Sequence, residues 1–407
     1  MKYQDEEWAA DPLDTNEDDF TLSPVKDLFP SVSGHDRQEV AENVYPHFSY
    51  EVHNNTMWKL LKLSEERFSK DFSEAPHFQT RGSRISKQTP TKCSIYLNTI
   101  SETVRKRIRQ TEWLYIKFVD TPYERPKDHA TGSINRPDLV ALQIWEKDPE
   151  IPENKFWSAL EATGELKSSH RDSRGAFAQA RSYVGFLLQA RPDLTTGLGI
   201  YAEEEGFKLI LHNSFGSFGT KLCSWTAQAD IALLCAWVWR LYEPIIPDLT
   251  IIRTIIRPAA DAVECIPPTF DIETPDGLFQ DCSIRTVGGH FGRRTIVLDT
   301  KIPGTVIKEQ YVDPSRRYEE GQTLERIHQE GIFPGVVRVG YSGPVPGTTM
   351  KYDKKWKVQA GLEQIVPEDA SEKVKMRLVL RDAASPLLDA KTPQDVLIAI
   401  YDLLEGK

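Results

Sequence analysis

Cysteine is scarce in this 407-residue chain: Cys93, Cys223, Cys235, Cys265 and Cys282 are scattered, with no paired spacing. That scatter excludes a zinc ribbon and a disulfide framework, and it reads as reduced thiols in an intracellular protein, cytoplasmic or nuclear. A basic leader followed by an apolar run is missing as well, since the chain opens Met-Lys-Tyr-Gln-Asp-Glu-Glu, so no secretory signal is read. Long hydrophobic runs are also lacking. The longest apolar helix pattern, 227–242, contains Asp230 and Arg240 and is short for a bilayer, so it reads as a buried core helix and no membrane partner is expected. Nor is there an excess of positive charge. A formal net charge of −10 excludes coating by nucleic acid through bulk electrostatics and leaves room only for a local basic groove.

What is present is globular in character, with 40% hydrophobic and 27% charged residues. The length suggests two or three domains. Residues 1–40, rich in Asp, Glu, Ser and Pro, read as an acidic, weakly ordered arm. Residues 41–109 read as a helical N-terminal region, in which the basic run 105–109 is a solvated helix face. From 110 to 245 apolar strand patterns alternate with helices, which argues for a mixed α/β core. The clearest helix covers 176–189, and strands are read at 198–202 and 207–212. Prolines 244, 247, 258, 267 and 268 mark 246–275 as a linker before a second unit, 276–407.

One stretch carries chemistry. Asp138 stands just before the apolar run Leu139-Val140-Ala141-Leu142, and Glu165 and Lys167 lie two apart at the end of a second run. In extended chain, side chains two apart project from the same face. Two carboxylates at the ends of neighbouring strands make the oxygen site Mg²⁺ prefers, and a lysine beside them orients water and offsets phosphate charge. The chemistry suggested is phosphodiester cleavage. The bland alternative keeps Asp138 and Glu165 as surface carboxylates or helix caps.

Taken in order, the Pro137-Asp138 strand, the Glu165-x-Lys167 strand 27 positions after Asp138, and the Gln179-x-x-x-Tyr183 helix resemble the PD-(D/E)XK nuclease superfamily over about 110–245. The resemblance implies that Asp138 and Glu165 hold the metal and Lys167 serves the attacking water. Gln179 and Tyr183 then sit one helical turn apart, facing the site or a bound DNA or RNA.

Beyond the linker, Gly288-Gly289-His290-Phe291-Gly292 has the make-up of a hairpin tip that lets backbone N–H groups approach a phosphate. Val306-Ile307-Lys308 reads as a strand ending in lysine, and 314–328 as a helix. This order resembles the small lobe of a protein kinase. Gly289 and Gly292 match the glycine-rich loop, with Val287 where its first glycine would stand. Lys308 matches the lysine that grips nucleotide phosphates, and Glu320 its helical partner, with Glu319 and Glu325 as alternatives. The phrasing Val306-Ile307-Lys308-Glu309, Asp313-Pro314-Ser315-Arg316-Arg317 and Val379-Leu380-Arg381-Asp382, followed by Ser385-Pro386-Leu387, is similar to the fungal-type protein kinases.

The fold expected is therefore α/β (α+β): a nuclease-like mixed sheet flanked by helices, then a small-lobe-like β-sheet with one helix. Downstream of Lys308 there is neither a His-Arg-Asp loop nor an Asp-Phe-Gly turn; Leu380-Arg381-Asp382 lacks an asparagine five residues on and falls where a hinge belongs. The segment 392–405 reads as the first large-lobe helix. The function expected is an incomplete, pseudokinase-like protein without phosphotransferase activity as it stands, its ATP binding weak or absent. Its kinase half is a binding or regulatory module for protein partners, fused to the nuclease-like domain. The alternatives are an Mg²⁺-dependent nuclease acting through Asp138, Glu165 and Lys167, and a non-enzymatic interaction scaffold.

Overall fold

The computed structural model describes residues 49–75, 89–108, 114–145, 155–167, 173–254, 266–290, 292–315, 319–333, 335–351 and 372–382, with positions 392, 394 and 397. The acidic arm 1–40, Phe291 and most of the helix read over 392–405 lie outside these residues. Among them the chain forms a mixed α/β structure of two sheets and six α-helices.

The first sheet contains β1 (Ser49–Val52), β2 (Leu114–Asp120), β3 (Leu139–Trp145), β4 (Leu160–Leu166), β5 (Gly197–Ala202), β6 (Gly206–Asn213) and β7 (Gly216–Thr220), in the order β1-β7-β6-β5-β4-β3-β2, with the short β8 (Cys223–Ser224) beside β6. The central pair β4 and β5 is parallel, and the helix joining them is α4 (Ser173–Ala190). A parallel pair needs such a crossover, whereas the antiparallel β5–β6 pair is closed by a tight turn.

Before α4 come α1 (Asn54–Leu60), α2 (Glu65–Asp71) and α3 (Thr89–Arg107), and after it α5 (Gln228–Tyr242). Strand periodicity divides the sheet's side chains between two layers. Leu139 and Ala141 of β3 join the core cluster that includes α5, while Val140, Leu142 and Ile144 join Tyr183 and Leu187 of α4. This double burial explains the near-continuous apolar reading of β3. α5 is buried through its whole middle, from Ile231 to Val238. The described residues of the region 41–109 contain helices and also β1, which runs parallel to β7, so they belong to the layers of the first sheet.

The second sheet is antiparallel: β9 (Ile251–Thr254), β10 (Thr269–Thr274), β11 (Gly277–Val287), β12 (Ile296–Asp299), β13 (Thr305–Val312), β14 (Arg338–Pro344), β15 (Met350–Lys351) and β16 (Glu372–Arg381), ordered β14-β16-β13-β12-β11-β10-β9 with β15 on β16. The helix α6 (Glu320–Ile327) lies between β13 and β14 in sequence. The linker read over 246–275 carries β9 and β10. Its prolines fall outside both strands, and apolar Ile251, Phe270 and Ile272 pay into the core.

Period-two alternation assigns the two faces of β13 and β16. Val306, Met376, Leu378 and Leu380 pack towards α6. The opposite face carries Glu309, Tyr311, Lys375 and Arg377, all buried against the first unit. Lys375 donates to Asp248 Oδ2 at 2.6 Å and to the Pro192 carbonyl at 2.8 Å, and it pairs with Glu309. Arg377 reaches Glu309 Oε1 at 2.6 Å, Asp248 Oδ2 at 3.0 Å and Thr250 Oγ1 at 2.7 Å. Burial pulls the Lys375 ammonium down, but Glu309 and Asp248 outweigh it and leave the group raised; burial raises Asp248, but Lys375 and Arg377 outweigh it and leave it lowered. Two acids and two cations thus cancel in a buried interface.

Candidate functional site

Register brings the acid pocket together. Leu139 of β3 faces Gly164 of β4, so Asp138 meets Glu165 at the next step, and the Leu166 amide donates to Asp138 Oδ2 at 3.1 Å. No side chain fits at Gly164: a Cβ there would lie 2.9 Å from Ile200 Cγ2 and 3.1 Å from the Ile200 carbonyl. Lys167, just past β4, places its ammonium 2.7 Å from Glu165 Oε1. Glu165 is sealed, with its side chain 3% exposed, while Lys167 at 30% reaches solvent. The pocket has a floor of carboxylate and a rim of amine.

α4 closes the pocket. Its periodicity turns Ala180, Tyr183, Val184 and Leu187 inward. The Tyr183 hydroxyl accepts from Gln179 and donates to the Arg136 carbonyl at 2.9 Å. The same hydroxyl lies beside Glu165, where it favours the charged carboxylate, while by hydrogen-bond geometry Glu165 Oε2 is buried without a partner. Burial and then the Asp138 charge push the Glu165 carboxyl up to about 7, against the pull of Lys167. Burial also raises Asp138, opposed by the Leu166 amide and by Lys167. All five residues predicted from sequence, Asp138, Glu165, Lys167, Gln179 and Tyr183, therefore meet in one place.

Asp120 was not read from sequence. It ends β2 as Asp138 leads into β3, but the alternation of β2 turns it to the other face of the sheet, where Ser94 donates to it at 2.7 Å. The pocket keeps two acids. Among the described residues, no group of three or more His, Cys, Asp or Glu could hold a metal ion. A cation here would rely on two carboxylates, with water and substrate completing its shell.

In the second unit Lys308 projects from β13 towards α6 and donates to both oxygens of Glu320, each at 2.7 Å. Glu319 is instead engaged by Ser342, at 3.0 Å. The glycine hairpin joins β11 and β12, with Gly288 and Gly289 exposed. Its far side is pinned to the first unit. The His290 ring lies over Gly185, where a Cβ would come within 2.7 Å of it, and 5.2 Å from the His212 ring. Arg294 donates to the carbonyls of Leu188 at 2.6 Å, Leu194 at 2.7 Å and Arg191 at 2.8 Å. The Gly292 amide donates to the Ser214 carbonyl at 3.2 Å, so one amide of the expected phosphate cradle is already bonded. Burial lowers the His290 imidazole to about 4, so the plug is neutral at ordinary pH.

No helix among the described residues is long and apolar enough to cross a membrane. Cys93, Cys223, Cys235 and Cys282 are buried free thiols, each pushed up to about 12 by burial, hence poor nucleophiles. The chain matches no family model, no curated protein and no solved structure.

Proposed function

We propose that the chain carries a small lobe like that of the fungal-type protein kinases, acting as a binding and regulatory module, and that its chemistry is metal-assisted phosphodiester cleavage in the acid pocket of a nuclease-like unit. One observation carries the chemistry: Asp138, Glu165 and Lys167 converge beside Tyr183, with Glu165 Oε2 sealed and lacking a donor. A buried carboxylate oxygen in that position calls for a proton or a cation. Two hard oxygen ligands suit Mg²⁺, which when bound polarises a phosphate and lowers the pKa of a water.

The chain's own residues do the rest. Lys167, at the rim, offsets phosphate charge and orients the attacking water. Asp138 and Glu165 hold paired negative charge at a fixed depth, and the Leu166 amide keeps Asp138 from turning away. Gln179 and the Arg136 carbonyl fix the Tyr183 hydroxyl, so the helix wall does not collapse onto the acids. Incubating supercoiled and single-stranded nucleic acid with Mg²⁺ or Mn²⁺ tests this. Expected is cleavage that a chelator stops and Lys167→Ala abolishes; an inert wild-type protein, or full activity in Lys167→Ala, contradicts it.

The lobe reading is supported by an antiparallel sheet with one helix and by the two-pronged Lys308–Glu320 pair, the arrangement that grips nucleotide phosphates. At a dissociation constant near 1 mM, about 5 mM MgATP should add about 1 kcal/mol, roughly 2 °C in Tm. Lys308→Ala is expected to erase that shift. A wild type that shows no shift, or a shift that survives the substitution, removes ATP from the account.

A further inference from the structure

Between the end of β2 at Asp120 and the start of β3 at Leu139 lie 18 residues without a helix or an extended strand. Loops that long are uncommon in compact folds and usually serve a function. This one is tied down throughout. Its ends are closed by the Thr121 amide on the Asp138 carbonyl at 2.8 Å and the Thr121 hydroxyl on the Pro137 carbonyl at 2.7 Å. Lys127 forms a bridge to Phe156, Arg125 Nε donates to the Ser133 carbonyl at 3.1 Å, and His129 Nε2 bonds the Phe186 carbonyl of α4 at 3.0 Å. The loop also adjoins the acid pocket, because Tyr183, beside Glu165, donates to the Arg136 carbonyl.

Its outward side chains are unusual for so acidic a protein. Tyr123, between Pro122 and Glu124, is 89% exposed, and Arg125, Lys127 and Arg136 of the same loop are exposed too. Glu124 is neutralised by the buried Lys155, which leaves Asp128 as the remaining acid of segment 121–137. An exposed aromatic ring and three exposed cations on one loop that adjoins the acid pocket fit a chain of phosphates with free bases.

We infer that loop 121–137 binds single-stranded polynucleotide, Tyr123 stacking a base while Arg125, Lys127 and Arg136 contact phosphates, and so delivers the phosphodiester to the acid pocket. The inference rests on the phosphodiester reading of that pocket and names its substrate class. Single strands are favoured because an aromatic side chain reaches a base face only where the base is unstacked. Three cations on a body of net charge −10 also give a modest, salt-sensitive affinity.

Fluorescence anisotropy in EDTA, with labelled dT20, rU20 and a 20-base-pair duplex, tests binding apart from cleavage. The single strands should bind about ten-fold or more tighter than the duplex, and Tyr123→Ala should weaken them about ten-fold. Arg125→Ala/Lys127→Ala should flatten the slope of log K against log[NaCl] by about 1. These side chains are exposed, so an unchanged Tm in each variant confirms folding. No binding, duplex bound as tightly as single strand, indifference to Tyr123→Ala, or equal displacement by polyglutamate overturns the inference. Intact, Tyr123-dependent binding without metal-dependent cleavage sinks only the cleavage reading; cleavage that ignores the loop variants sinks only the loop.

Discussion

Asp248→Ala is expected to destabilise the protein by about 3–5 kcal/mol, the usual cost of leaving a buried charge without its partner. Asp248 is 2% exposed and bonds both Lys375 and Arg377; without it Glu309 alone faces two buried cations. The effect should extend beyond the interface, because the network sits on the same strands that carry Lys308 towards α6. Amides of the pinned hairpin, Gly292 among them, should exchange faster in the variant. Denaturant unfolding provides the measurement. Asp248→Ala/Lys375→Met should recover much of the loss, since exchanging paired charges for apolar volume is often neutral. A loss under about 1 kcal/mol in the single variant would mean that the two units do not share this buried interface.

Glu165→Gln is expected to lower metal-dependent cleavage about a thousand-fold while leaving the protein as stable as before, or more stable, above pH 7. The two effects have opposite signs for one reason. The Glu165 carboxyl has a folded-state pKa of about 7, raised above its ordinary 4.5 by burial and by Asp138. An acid raised in this way lends the fold stability below pH 4.5 and loses it progressively as pH climbs from 4.5 through 7. The whole span corresponds to up to about 3 kcal/mol. A glutamine carries no such penalty, so wild-type stability should fall across that window while the variant's curve stays flatter, and thermal melts from pH 4.5 to 8 would show it. Parallel curves, or retained cleavage, contradict the assignment.

How much of this was legible beforehand depends on how local each signal was. The acid pocket needed only strand alternation and two short motifs, because the period of two fixes which side chains share a face once the strands are known. Asp138, Glu165 and Lys167 could therefore be placed together although register itself was unseen. The same rule applied to β2 would have turned Asp120 away from the pocket.

The lysine strand and its helical glutamate were readable for a similar reason. The interface was not. Lys373, Lys375 and Arg377 alternate with apolar residues in β16, a pattern that ordinarily marks a strand with one face in water. Only the carboxylates of Asp248 and Glu309, distant in sequence, turn that face inward. Nor could the glycine hairpin's role as a plug be read, since Gly288 and Gly289 suggested an open cradle and nothing local revealed that Gly185 leaves room for His290. The region 246–275 shows how prolines mislead when counted without position: all of them miss the strands, and β9 and β10 form between them.

The most direct measurement is the titration of Glu165 itself, by carboxyl-carbon NMR on metal-free protein and on Asp138→Asn. If the two acids share one pocket, the wild type should titrate near 7 and the variant lower, because the neighbouring charge has been removed while burial, the larger cause, remains. A Glu165 that titrates near 4.5 in both proteins would place the carboxylates apart in solution and contradict the pocket on which the proposed chemistry stands.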